Sequence, residues 1–174
     1  MTERMGVVTV LGNGVTLVGD ELKVGAKAPE AVLTNGKLEP VKLSSAIRGK
    51  VAILASVPSL DTPVCDIETR RFNAEAAKLG PDVVILVVSM DLPFAQGRWC
   101  GAAGVKSVVT LSDHRDASFG TGYGVLIKEA RLLARAVFVV DKTGTVQYAE
   151  VVPEAATEPD YGAALAAVKK LVGK

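Results

Sequence analysis

Two apolar runs constrain this chain more than any other feature. Val51-Ala-Ile-Leu-Ala-Ser-Val57 contains one polar residue, and Val83-Val-Ile-Leu-Val-Val88 contains none. A strand without polar alternation is covered on both faces, as in parallel sheets with helices on either side. Between the runs lies a helix signal. Thr62 is a good N-cap, Pro63 a good first helical residue, and Gly80-Pro81-Asp82 a stop after Leu79. Strand, helix and strand make a β-α-β unit, whose two strands run parallel.

The remaining elements attach to that unit. Val7–Leu11 and Val15–Val18 flank Gly12-Asn13-Gly14, a hairpin signal because Asn and Gly accept positive φ. Short strands are expected near Ala31–Leu33 and Lys37–Leu43, around a turn at Asn35-Gly36. Pro93 opens a helix that carries Phe94, Trp99 and Cys100. Val108–Leu111 reads as a strand and 116–124 as a loop or short helix. Ala136–Val140 and Thr145–Ala149 read as a hairpin closed by Asp141-Lys-Thr-Gly144. A last helix starts near Asp160, with Tyr161, Ala164, Leu165, Val168 and Leu171 on one face. The predicted class is α/β, a mixed central sheet flanked by helices on both faces, with an N-terminal β-hairpin extension over residues 1–20. No repeat or linker divides the 174 residues, so a single domain is expected over 1–174.

Composition narrows the function classes. Twenty basic residues balance nineteen acidic ones, which gives no reason to invoke nucleic acid or an acidic membrane. No apolar run approaches the roughly 20 residues of a membrane helix. The start, Met1-Thr-Glu-Arg-Met-Gly, lacks the basic-then-apolar pattern of a signal peptide, so a cytoplasmic location is expected. In a reducing cytosol, two cysteines point to catalysis or redox chemistry before structural staples. The single histidine, His114, lies in the polar stretch Ser112-Asp-His-Arg-Asp116 and is expected to face solvent. Two cysteines and one histidine do not make a zinc site, for which four ligands are usual. The glycines match no phosphate-binding loop, so no cofactor is expected.

Cys65 is the residue these signals single out. With Thr62 as N-cap, it is the third helical residue, in a first turn whose N–H groups have no intrahelical partners and whose dipole is positive. A thiolate there is stabilised over a thiol, and its pKa is expected below the free value of roughly 8.5. The alternative is a buried, inert cysteine. Taken alone, Cys100 reads as a core cysteine beside Trp99, Thr62 as a helix cap, Pro58 as a loop proline and Arg135 as a solvated strand-end charge.

The motif Pro58-x-x-x-Thr62-x-x-Cys65 resembles the peroxidatic signature of peroxiredoxins. The wider pattern resembles one branch, the bacterial thiol peroxidases, which are atypical two-cysteine peroxiredoxins. It is carried by Gly19-x-x-Leu22-x-Val24-Gly25-x-x-Ala28-Pro29, Ser56–Cys65, Ser89-Met-Asp-Leu-Pro-Phe-Ala95, Arg98-x-Cys100-Gly101, Leu133-Ala-Arg-Ala136 and Thr157–Tyr161. Phe is more usual than Trp99 in that branch, and an aromatic is more usual than Ala31.

The resemblance implies a thioredoxin-like fold and a peroxidase in which Cys65 attacks the peroxide and becomes a sulfenic acid. It implies that Thr62 hydrogen-bonds the sulfur or the peroxide, that Pro58 shields the pocket, and that Arg135 stabilises the thiolate and the leaving oxygen. Cys100 is then the resolving thiol, with an intersubunit disulfide as the other possibility. The implied substrates are hydrogen peroxide and alkyl hydroperoxides, the implied reductant is thioredoxin, and a homodimer packed near the Cys65 loop is expected. Val64, Leu92 and Phe94 suit an oily substrate or a core equally. A peroxide-sensing thiol relay, passing its oxidation to a partner protein, would use the same cysteines. An inert thioredoxin-like binding module would leave Cys65 no more reactive than a free thiol.

Overall fold

The protein is described by a computed structural model, in which residues 1–173 are placed well enough to describe. The β-α-β unit forms as the apolar runs dictate. β5 (Val51–Ser56) is buried along its whole length and pairs in parallel with β6 (Val83–Ser89), Val51 opposite Val83. α2 (Pro63–Leu79) connects them, with Thr62 in extended backbone at its N-cap. β6 pairs in parallel with β7 (Val109–Ser112) after α3 (Pro93–Ala103).

Antiparallel strands complete the sheet. β10 (Ala136–Val140) pairs with β5 on one side and β11 (Val146–Val151) on the other. β3 (Val32–Thr34) and β4 (Pro40–Lys42) extend the far edge, giving the order β11-β10-β5-β6-β7-β3-β4. The expected strand over 37–43 is shorter, because Leu43 starts a short helix, α1 (Leu43–Ile47).

Each face has its own core. One holds Phe72 of α2, Trp99 and Ala103 of α3, and Tyr161, Ala164 and Val168 of α5 (Tyr161–Val172). These pack on Val51, Ile53, Ala55, Ile85, Val87, Val137 and Val139. The opposite core includes Leu43 of α1, Phe119 of α4 (Ser118–Gly122), and residues of a second, smaller sheet. That sheet has the order β1-β2-β8-β9 and contains the N-terminal hairpin. The mixed sheet with helices on both faces and the hairpin extension are as expected.

The hairpin differs in its turn. β1 (Glu3–Val10) and β2 (Asn13–Val18) are joined by Leu11-Gly12, so Asn13 and Gly14 belong to the strand. Leu11 and Gly12 both adopt positive φ, 50° and 80°. The Glu154 carboxylate accepts from both of their N–H groups, at 3.2 and 3.0 Å, and from the Thr9 hydroxyl at 2.7 Å. A side chain far along the sequence thus fixes a turn that local preference places one residue later. β8 (Leu126–Ile127) and β9 (Leu132–Leu133) are two residues each, too short for a periodic signal. Among the described residues, no helix is long and apolar enough to cross a membrane.

Candidate active site

The C-terminal end of β5 feeds the loop 57–62 and the first turn of α2, which brings Cys65 to the edge of the sheet. The sulfur is fully buried. Antiparallel pairing places Ala136 opposite Ser56, so the residue before it, Arg135, lies beside that same end of β5. The Ser56 hydroxyl donates to the Ala134 carbonyl at 2.7 Å and pins this register.

Arg135 is 1% exposed, and its guanidinium is fully engaged. Nε and Nη2 donate to the Ala155 carbonyl at 3.0 and 2.8 Å, and Nη1 donates to Oε2 of Glu68. Nη2 also reaches the Cys65 sulfur at 3.3 Å. Burial works against the charge of this guanidinium, but Glu68 and then Cys65 outweigh it and raise its pKa. The guanidinium thus places a positive charge at hydrogen-bond distance from the sulfur.

Glu68 is the residue that sequence reasoning missed. It follows Cys65 by three positions, on the same helix face, and is fully buried among Cys65, Thr69 and Phe72. An acidic residue on the apolar face of an otherwise ordinary helix was the available signal. Its Oε1 has no hydrogen-bond partner. Burial pushes the carboxyl up to about 7 against the pull of Arg135, with Glu150 and Glu158 adding to the rise.

Thr62 and Pro58 sit in the loop as expected, but the Thr62 hydroxyl has a different partner. It donates to the Ser59 carbonyl at 2.8 Å and makes no capping bond to the helix. The turn Ser59–Thr62 provides that acceptor, and a donating hydroxyl keeps its lone pairs for an incoming O–H. Pro58 is half-buried.

Asp91 anchors the loop. Its Oδ1 accepts from the Ser59 hydroxyl at 2.7 Å, and Oδ2 accepts from the Leu60 N–H at 2.8 Å and the Ser89 hydroxyl at 2.7 Å. Beside it lies a groove lined by Asp61, Leu92, Phe94 and Arg98. Leu92 and Phe94 are exposed at its surface and form no part of the core, while Val64 is half-buried. His114, expected in solvent, is half-buried, with Nδ1 2.9 Å from the Ser112 hydroxyl. Among the described residues, no three His, Cys, Asp or Glu side chains are grouped to hold a metal ion.

Cys100 is half-buried in α3, and its sulfur lies 3.6 Å from the Thr110 hydroxyl on β7. Both cysteines are free. β7 and β10 lie three places apart in the sheet.

The Redoxin family matches residues 23–165. The chain belongs to the redoxin family. It is 55% identical over 168 residues to the thiol peroxidase of Bacillus subtilis, spanning 97% of this chain and 99% of that protein. It is 54% identical over 166 residues to the thiol peroxidase of Listeria monocytogenes, spanning 95% of this chain and 99% of the relative. Among solved structures, a peroxiredoxin-like protein from Aquifex aeolicus superimposes with a TM-score of 0.88 at 45% identity, covering 97% of this chain and 99% of that one. A thiol peroxidase from Chromobacterium violaceum, 20% identical with a TM-score of 0.81, supports the thioredoxin-like fold. The expected place in the thiol peroxidase branch of the peroxiredoxins, and with it a peroxidase enzyme, holds.

Proposed function

We propose that this redoxin is a thiol peroxidase that reduces hydrogen peroxide and organic hydroperoxides to water and alcohols, with Cys65 as the attacking thiolate. The observation that carries this reading is the Arg135 guanidinium, buried and 3.3 Å from the Cys65 sulfur. Preorganised positive charge is what a thiolate and a departing alkoxide both need. Thr62 accepts the hydroperoxide O–H, Pro58 limits water, and the exposed Leu92 and Phe94 offer an alkyl group an apolar surface. The sulfur attacks the terminal peroxide oxygen and the O–O bond breaks. Cys65 becomes a sulfenic acid, and the alkoxide takes a proton to leave as alcohol.

Cys100 then attacks the sulfenic sulfur, which expels water and forms an intramolecular disulfide. Thioredoxin reduces that disulfide by thiol–disulfide exchange. The protein works in the cytoplasm as a homodimer that packs near the Cys65 loop. The test is peroxide consumption with thioredoxin, thioredoxin reductase and NADPH. Wild type turns over many times, Cys65→Ser does nothing, and Cys100→Ser stalls after about one equivalent. Full activity in Cys65→Ser overturns the reading, and a wild type that stops after one equivalent favours the sensor.

A further inference from the structure

We propose that Asp66 and Trp99 form a clasp between the two cysteine helices that decides whether oxidised Cys65 is resolved by Cys100 or oxidised again. This rests on the peroxidase reading above. The Trp99 Nε1–H donates to Oδ1 of Asp66 at 3.1 Å. Arg70 Nε donates to Oδ2 of the same carboxylate at 2.9 Å, and its Nη1 donates to the Ala103 carbonyl of α3 at 3.1 Å. The Arg70 guanidinium also lies 5.8 Å from the Trp99 ring centroid. Asp66 follows Cys65 directly, and Trp99 directly precedes Cys100. Successive helical residues point about 100° apart. Both sulfurs therefore turn out of this contact, Cys65 toward Arg135 and Cys100 toward Thr110, while their neighbours hold the helices together.

Elsewhere α3 is held mainly at its start, where Gln96 Nε2 donates to the Ser89 hydroxyl and the Leu111 carbonyl, both at 3.0 Å, while near Cys100 only Trp99 and Ala103 pack on the core. Only Pro93 and Gln96 of the helix are fully buried. Gly97 and Gly101 flank Cys100, and a Cβ at either would meet nothing within 4 Å. No packing requires these glycines, and each weakens the helix relative to alanine. α3 is thus built to unwind around Cys100, and the clasp is what opposes it. While the clasp holds, Cys65–SOH can meet a second hydroperoxide and give Cys65–SO2H and an alcohol. Once it opens, Cys65–SOH and Cys100–SH give the disulfide and water. Asp66 and Trp99 are positioning residues in this sequence; neither touches the reacting sulfur in the reduced protein.

The experiment follows one equivalent of hydrogen peroxide by rapid alkylation and mass spectrometry, then repeats with excess peroxide to score the sulfinic fraction. A half-exposed hydrogen bond of this kind corresponds to roughly a two- to tenfold change in an equilibrium. Trp99→Phe and Asp66→Ala form the disulfide faster by about that factor, and need correspondingly more peroxide for the same sulfinic fraction. Asp66→Asn keeps an acceptor for Trp99 and stays near wild type, which a loss of helix-terminal charge alone does not explain. Gly101→Ala stiffens α3 and slows the disulfide. Unchanged or slower resolution in Trp99→Phe and Asp66→Ala, or an Asp66→Asn protein that behaves like Asp66→Ala, overturns the clasp. A wild type that forms no Cys65–Cys100 disulfide overturns the clasp and the peroxidase cycle together.

Discussion

Glu68→Gln should change how stability depends on pH. The wild-type carboxyl moves from 4.5 to about 7 on folding, because burial penalises its charge more than Arg135 rewards it. Below about pH 4.5 it is protonated in both states, and its contribution to stability is fully present. As pH rises through about 7, the unfolded chain has already released the proton that the folded site retains, so stability falls. At 1.36 kcal/mol per pH unit, the swing is capped at about 3 kcal/mol. Gln keeps an acceptor for Arg135 and does not titrate. Asp113, Asp141 and Glu154 also have shifted carboxyls, but they are common to both proteins and cancel in the difference. The assay is urea unfolding of both proteins under reducing conditions at several pH values from 4.5 to 8. The Gln variant should gain on wild type between about pH 4.5 and 7, by up to about 3 kcal/mol, and level off above that. A difference that stays flat across the range, or that swings toward wild type, refutes the reasoning.

Two further substitutions probe the supports of the site. Arg135→Met leaves the buried Glu68 acid without its partner, to stay charged in the core or take up a proton there, and at pH 8 should cost about 3–5 kcal/mol in urea unfolding while abolishing peroxide consumption. Asp91→Ala removes the acceptor for the Ser59 hydroxyl and the Leu60 N–H; a loss of about 2 kcal/mol and a slower reaction of Cys65 with peroxide are expected, read by thermal unfolding and stopped flow.

What the sequence revealed was local or strongly periodic. β5, β6 and α2 follow from two apolar runs and a Thr-Pro start, and the first-turn place of Cys65 follows from the same signals. Arg135 is 70 positions from Cys65 and reaches it through antiparallel register, which local chemistry does not encode. Only resemblance to a known family singled it out. The Leu11-Gly12 turn escaped for a similar reason, since the Glu154 that fixes it is 143 positions away from Leu11. The Thr62 hydroxyl and His114 show a smaller failure: Thr62 stands at the helix start as expected but bonds Ser59, and His114, expected in solvent, is half-buried against Ser112, because both partners depend on how a loop closes. Glu68 was legible as an oddity, an acid three residues from the key cysteine on a buried face, and only its pairing with Arg135 explains it.

The most direct test of the central claim is the second-order rate of Cys65 oxidation by hydrogen peroxide, measured in a Cys100→Ser background against free cysteine at the same pH. A sulfur held beside the buried Arg135 guanidinium should react orders of magnitude faster than the free thiol, and the advantage should vanish in Arg135→Met. A rate equal to that of free cysteine would contradict the account and leave an inert thioredoxin-like module.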